Sequence, residues 1–192
     1  AMSRSKADYS LIEVGLGGRL DATNVVERPK LCIITPVSLD HEQFLGNTIA
    51  KIAREKAGII KNEIPVVVGP QIGEAMEVIE DVAFSRNAPL MVYGQHWHVS
   101  SKRDRMVYED ETSLLDLPLP ILPGEHQIEN AGAALAALRL LDIPYRAAEK
   151  AVTNASWPAR MQRLKEGVFA KLVGQAELWL DGGHNAAAGS AI

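Results

Sequence analysis

An internal disulfide is ruled out in this chain, because Cys32 is its one cysteine. Cys32 lies in the apolar run Leu31-Cys32-Ile33-Ile34, and a thiol on a buried strand fits the reducing cytoplasm, the compartment expected here. No apolar run approaches the roughly 18 residues of a membrane span, so no association with a membrane is expected. The opening Ala1-Met2-Ser3-Arg4-Ser5-Lys6 lacks the apolar core of a signal peptide. Excess positive charge is also missing. The net charge is −4, which leaves no electrostatic footprint for nucleic acid or an acidic membrane surface. Internal repeats and low-complexity tracts do not occur. Nor does Gly-x-x-x-x-Gly-Lys-Ser/Thr, so the 192 residues contain no phosphate cradle of that type.

What is there reads as a soluble α/β protein. The 47% hydrophobic and 23% charged content is ordinary for a globular chain, and 192 residues make one domain or one domain with part of another. Apolar runs at 9–14, 31–35, 65–68, 90–93 and 178–180 alternate with helical patterns, the signature of a mostly parallel sheet flanked by helices. The clearest helix is 48–60, with Ile49, Ile52, Ala53, Ala57 and Ile60 on one stripe, Asn47 or Thr48 to cap it and Gly58 at its fraying end. Two more helices are expected over 72–85 and 128–141, and a hairpin or irregular excursion over 96–123. Ser156-Trp157-Pro158-Ala159-Arg160 reads as a hinge. It divides a partial domain, 1–157, from 158–192, the start of a second, Rossmann-like α/β domain. Both ends look cut, as in a piece of a longer protein.

Three apolar runs lead into acid or acid-imidazole groups. Leu11-Ile12 ends in Glu13, Ile33-Ile34-Thr35 leads to Asp40-His41, and Leu178-Trp179-Leu180 ends in Asp181-Gly182-Gly183-His184-Asn185. Ligands of parallel α/β sheets bind beyond the carboxyl ends of the strands, so these groups are placed to meet a metal or a phosphate-bearing substrate. Carboxylate oxygen suits Mg²⁺, and imidazole draws the choice towards Mn²⁺ or Zn²⁺. Each residue taken singly has a plainer reading as a solvent-facing turn residue. Lys56 falls on the apolar stripe of its own helix, where a lysine either snorkels to the surface or is neutralised or modified beside a site. Gly15, Gly17 and Gly18 are accounted for by a tight turn alone.

Five motifs in order carry a resemblance. Glu13-Val14-Gly15-Leu16-Gly17-Gly18-Arg19-Leu20-Asp21-Ala22-Thr23-Asn24 is similar to a signature of the folylpolyglutamate synthase and bifunctional dihydrofolate synthase family, within the Mur ligase superfamily. Asp40-His41 with Leu45-Gly46-x-Thr48 and Glu55-Lys56-Ala57-Gly58-Ile59-Ile60-Lys61 resembles its second signature. Gly124-Glu125-His126-Gln127-x-x-Asn130-Ala131, Trp157-Pro158-Ala159-Arg160 and Asp181-Gly182-Gly183-His184-Asn185 follow in the family's order. Ala186 stands where the family usually has proline, and the family's ATP-binding loop is not among these residues.

The resemblance implies a Mur ligase central ATPase-type domain and an ATP-dependent ligase. Such an enzyme adds L-glutamate to a folate or dihydropteroate carboxylate through an acyl phosphate. It implies Mg²⁺ on Glu13 and His41, with Lys56 carbamylated near the metal. Asn130 and Arg160 would contact ATP, Asp181 and His184 would close over nucleotide and glutamate as catalytic residues, and Asp21 with Ala22 would line the pterin pocket. Such a parent is expected to be a monomer, and this piece alone to be inactive and to self-associate. Two alternatives stand beside it: a binding or interaction module that kept the fold without catalysis, and a metal-dependent hydrolase built on Glu13, Asp40 and His41, which leaves the later motifs unexplained.

Overall fold

Three short apolar runs form the central layer. In chain order the computed structural model, which describes residues 6–191, has a 3-10 turn (Ala22–Val25), β1 (Cys32–Ile34), α1 (Glu42–Leu45), α2 (Ile49–Ala57), β2 (Val66–Val68), α3 (Gly73–Ser85) and β3 (Leu90–Val92). Then come β4 (Trp97–Lys102), β5 (Arg105–Asp110), β6 (Leu114–Pro118) and α4 (Glu125–Leu140). A 3-10 turn (Tyr145–Ala147), α5 (Ala148–Asn154), β7 (Gln162–Arg163), α6 (Val168–Leu172), β8 (Trp179–Leu180) and α7 (Ala186–Ala191) complete it.

β1, β2 and β3 form a parallel sheet in that order, with Cys32 opposite Val66 and Val66 opposite Leu90. Side chains alternate across a strand, so β2 serves two cores at once. Val66 and Val68 join Ile34, Ile52, Ala53, Ile79 and Ala83 beneath α2 and α3. Val67 joins the opposite core, where Ile33 and Met91 pack towards α4, Trp97 and Tyr108. Thr48 caps α2 by accepting the Lys51 N–H at 3.3 Å.

The segment 96–123 is more regular than its sequence suggests: β4, β5 and β6 make an antiparallel three-stranded sheet. Its inner face, carrying Trp97, Val99, Met106, Tyr108 and Leu117, lies against α4. The approach is close because Gly132 sits under the contact; a Cβ there would meet the Trp97 ring at 2.7 Å and Val99 at 2.8 Å. Asp110 ties the sheet to the turn before α5, accepting hydrogen bonds from the Tyr108 hydroxyl at 3.1 Å and the Tyr145 hydroxyl at 3.2 Å. Burial, with Tyr145 and Asp110 facing it, pushes the Tyr108 phenol well above its ordinary value, so it stays a neutral donor.

Several expectations are corrected. Residues 9–14 form no strand and Tyr9 and Leu11 are exposed; among the described residues nothing pairs with the outer edge of β1, so this run has no ladder partner. α4 starts at Glu125, three residues before its first apolar position, because Gly124 at φ 112° turns the chain into a polar first turn. α2 stops at Ala57, short of the expected residue 60. β7 and β8 pair antiparallel around α6, whose Val168, Phe169 and Leu172 face solvent.

Candidate metal centre beyond the carboxyl end of β1

The chain leaves β1 through Thr35 and Pro36 and turns at Asp40-His41. His41 adopts the left-handed conformation, φ 49° and ψ 37°, and its carbonyl accepts the Phe44 and Leu45 N–H groups that start α1. Asp40 is divided between two tasks. Its Oδ1 accepts the His41 N–H at 2.8 Å, and its Oδ2 accepts the Asn185 side-chain N–H at 2.8 Å. Around Oδ2 stand two imidazoles, His41 Nε2 at 3.7 Å and His184 Nε2 at 3.9 Å, with ring centroids 5.9 Å apart. Desolvation would raise the Asp40 carboxyl, but the hydrogen bonds from Asn185 and the His41 amide and the two imidazoles outweigh it, so its pKa lies below the ordinary value.

Among the described residues, Asp40, His41 and His184 are the one group of three acid, imidazole or thiol side chains whose ligand atoms lie within 4.8 Å of one another. Metal–ligand bonds of about 2.1 Å put two donors on one ion ~3–4 Å apart, so these separations suit a shared divalent cation. Two imidazoles and a carboxylate fit Mn²⁺ or Zn²⁺ at least as well as Mg²⁺.

The second half of the centre is a locked turn. Asp181 Oδ2 accepts the Met161 N–H at 2.7 Å, its Oδ1 accepts the Gly183 N–H at 2.6 Å, and the Gly182 N–H donates to the Ala159 carbonyl at 2.8 Å. The Met161 and Gly183 amides, with Arg160 nearby, hold the Asp181 carboxyl below its ordinary value. Arg160 is exposed beside this turn, close enough that a Cβ on Gly182 would lie 3.1 Å from its guanidinium. His41, Arg160, Asp181 and His184 are thus gathered around two interlocked turns.

The other expected site residues lie outside the cluster. The side chains of Glu13 and Lys56 make no hydrogen bond or ion pair among the described residues; Glu13 is exposed and Lys56 half-buried on α2. Asn130 is exposed on α4 and donates to Gln127 Oε1 at 3.3 Å. Ala22 opens the exposed 3-10 turn. The glycine-rich turn packs on the end of α2, where Gly18 lies against backbone carbonyls and a Cβ would meet Glu55 O at 2.9 Å. Beside it Arg19 donates its N–H to Glu55 O at 2.8 Å and pairs with the Glu55 carboxylate.

Asp21 organises this loop. One oxygen accepts the Gly15 and Leu16 N–H groups at 3.1 and 3.0 Å, the other the Thr23 N–H and hydroxyl at 2.8 and 2.6 Å. Its four acceptor sites are filled. The Thr23 hydroxyl and amide, then the Leu16 amide, lower its pKa to about 2. A depressed folded-state value means that the stabilisation is complete above the ordinary value of 3.8 and is lost as pH falls through about 2. Amide shifts of Gly15, Leu16 and Thr23 followed by NMR are expected to hold down to about pH 2 and to move together below it.

Asp40 was expected only beside His41 and in the alternative hydrolase site, and Asn185 was given no role of its own. The available signal was their adjacency to the two histidines. His126, whose buried Nδ1 has no hydrogen-bond partner, gave no signal beyond its motif.

A profile of the Mur ligase middle domain matches residues 1–138. The chain belongs to the Mur ligase family. Among relatives of this chain, a Bacillus subtilis protein described as dihydrofolate synthase/folylpolyglutamate synthase is 36% identical over 199 residues, covering 94% of this chain and 42% of the relative. The solved Escherichia coli FolC in complex with DHPP and ADP superposes with a TM-score of 0.77 at 36% identity, over 91% of this chain and 39% of that one. An FPGS–AMPPCP–folate complex gives 0.82 at 30% identity, over 94% and 44%. The chain therefore spans less than half the length of these relatives.

Proposed function

We propose that this chain belongs to an ATP-dependent ligase that joins L-glutamate to a folate or dihydropteroate carboxylate. The observation that carries the reading is the convergence of Asp40, His41 and His184 beyond the carboxyl end of β1, with Arg160 and Asp181 on the adjoining turn. The relatives' names, which specify folylpolyglutamate or dihydrofolate synthesis and complexes with ADP or an ATP analogue, support it.

In this reading residues 1–157 make most of the ATP-binding domain and 158–192 begin the glutamate-ligating one. A divalent cation held by His41 with Asp40 and His184, and joined by Glu13 from outside that cluster, would supply charge neutralisation on the transferring phosphate. Asn130 contacts the base of ATP, Arg160 its phosphates, and a carbamylated Lys56 presents an anion beside the metal. Asp21 acts on the pterin pocket through the shape of its loop, with Ala22 at its edge.

The chemistry is balanced in two steps. The substrate carboxylate oxygen attacks the γ-phosphorus and ADP leaves. The glutamate amine then attacks the acyl carbon, and phosphate departs carrying that carboxylate oxygen. The amine must shed a proton before it attacks; His184 closes over nucleotide and glutamate at this point, and Asp181 holds the turn on which it sits. With no Gly-Lys phosphate loop among its 192 residues, this chain alone is inactive. The exposed Val168, Phe169 and Leu172 of α6 support its self-association.

The test uses the longest product of the gene, ATP, glutamate and a dihydropteroate or tetrahydrofolate labelled with ¹⁸O in its carboxylate. Phosphate release that needs all three substrates and carries one ¹⁸O is expected. Release of unlabelled phosphate removes the acyl phosphate. A full-length product that binds ATP without releasing phosphate supports the non-catalytic binding module instead.

A further inference from the structure

The hydrogen bond between Asp40 and Asn185 joins positions 145 residues apart in the chain, and His184 lies immediately beside it. Asn185 is held at both ends of its amide. Its N–H donates to Asp40 Oδ2 at 2.8 Å, and its Oδ1 accepts the Ala188 N–H at 2.7 Å, capping α7. On the other side of His184, Asp181 and Gly182 are fastened to the turn at 159–161. The backbone carrying His184 is thereby anchored before and after the imidazole.

The ring itself is oriented. His184 Nδ1 lies 3.2 Å from the Gly182 carbonyl oxygen, which can only accept, so the proton sits on Nδ1 and the Nε2 lone pair is free. That free Nε2 is the atom 3.9 Å from Asp40 Oδ2. A ring nitrogen held to a backbone carbonyl while the other faces a ligand cluster is the usual arrangement of metal-ligating histidines. Asp40 links the halves, because the oxygen that receives Asn185 also faces both imidazoles.

We infer that Asn185 is a positioning residue: by clamping onto Asp40 it sets the His184 imidazole beside His41, completing a divalent-cation site from two distant parts of the chain. The cation rests on the functional reading above; the clamp does not. Neither Asn185 nor Asp40 needs to touch substrate for this role. The cap on α7 and the bond to Asp40 are separable, since serine also caps a helix but has no amide to donate to Asp40.

The experiment is NMR on the 192-residue chain, first without metal and then titrated with Mn²⁺ alone. In the wild type an NOE between the His41 and His184 rings is expected, and both rings should broaden over the same Mn²⁺ range. In Asn185→Ser the NOE should vanish while the α7 amide shifts persist, and His184 should broaden only at about tenfold or more Mn²⁺. Asp40→Asn, which has one acceptor oxygen for the two N–H groups of His41 and Asn185 and carries no charge, should weaken Mn²⁺ binding at both rings. An unchanged NOE and unchanged joint titration in Asn185→Ser overturns the inference, as does an absent wild-type NOE. Undiminished Mn²⁺ binding at both rings in Asp40→Asn also overturns it, since the oxygen that links the two imidazoles would then play no part. An NOE that depends on Asn185, with neither wild-type ring broadening, upholds the clamp and removes the cation reading.

Discussion

Trp97→Ala is expected to lower the melting temperature of this chain by about 6–20 °C. The indole is fully buried between the antiparallel sheet and α4. It meets Tyr93 edge-on with centroids 5.1 Å apart, and Tyr108 at 6.3 Å. Its Nε1–H donates to the Met91 carbonyl at 3.1 Å, so one side chain fastens the antiparallel sheet to β3. Gly132 is pressed against the ring, and α4 cannot close the gap without pulling on the Val67 face of the parallel sheet. Truncations of this kind cost about 3–5 kcal/mol. In a domain of 150–250 residues each kcal/mol moves the midpoint by ~2–4 °C. Scanning calorimetry of wild type and variant checks it, with Trp157→Ala as the contrast. Trp157 is 61% exposed, and its loss should stay within ~0.5 kcal/mol. Equal shifts for the two variants would mean that the second core does not stabilise the chain as its burial indicates.

His41→Asn is expected to weaken Mn²⁺ binding at the Asp40 cluster by at least about 100-fold, or ~2.7 kcal/mol. Asparagine is chosen for the backbone. At φ 49° an alanine would add strain of its own, whereas asparagine enters the left-handed region readily. The variant therefore keeps the turn that starts α1 and removes only the imidazole. Two donors, Asp40 and His184, would remain, and the Asp40–Asn185 hydrogen bond would be unaffected. Calorimetric titration reads the change. Undiminished affinity would place the cation elsewhere, with Glu13 the first residue to examine.

The parallel layer was legible because burial on both faces leaves uninterrupted apolar runs, and β1, β2 and β3 fall within 31–35, 65–68 and 90–93. The same pattern misled at 9–14, because an apolar run records an appetite for burial and not the presence of a neighbouring strand. The antiparallel sheet was harder to read since β4 alternates buried and exposed side chains only at Trp97, His98 and Val99 before its tip runs into solvent. α5 escaped notice for a like reason, burying only Ala148 and Val152. At the site, the two histidines and Asp181 stood out by their places after apolar runs. Asp40 stood out with His41, but its link to Asn185 did not, because a hydrogen bond between distant segments leaves no record in sequence spacing.

The division of the proposed cation centre between residues 40–41 and 184–185 makes its assembly a question of effective concentration. One hydrogen bond and the edges of two imidazoles form too small an interface to hold a detached peptide. Covalent continuity keeps the partners together at a level that short tethers raise to about millimolar. A single nick in the exposed stretch between β7 and α6 would leave both cores intact, with the two-residue β7–β8 pairing and the locked turns as the remaining hold on the second half. Assembly would then tend from first order towards second order. Protease sensitivity of this short stretch would consequently report on the centre far more than on the stability of the fold.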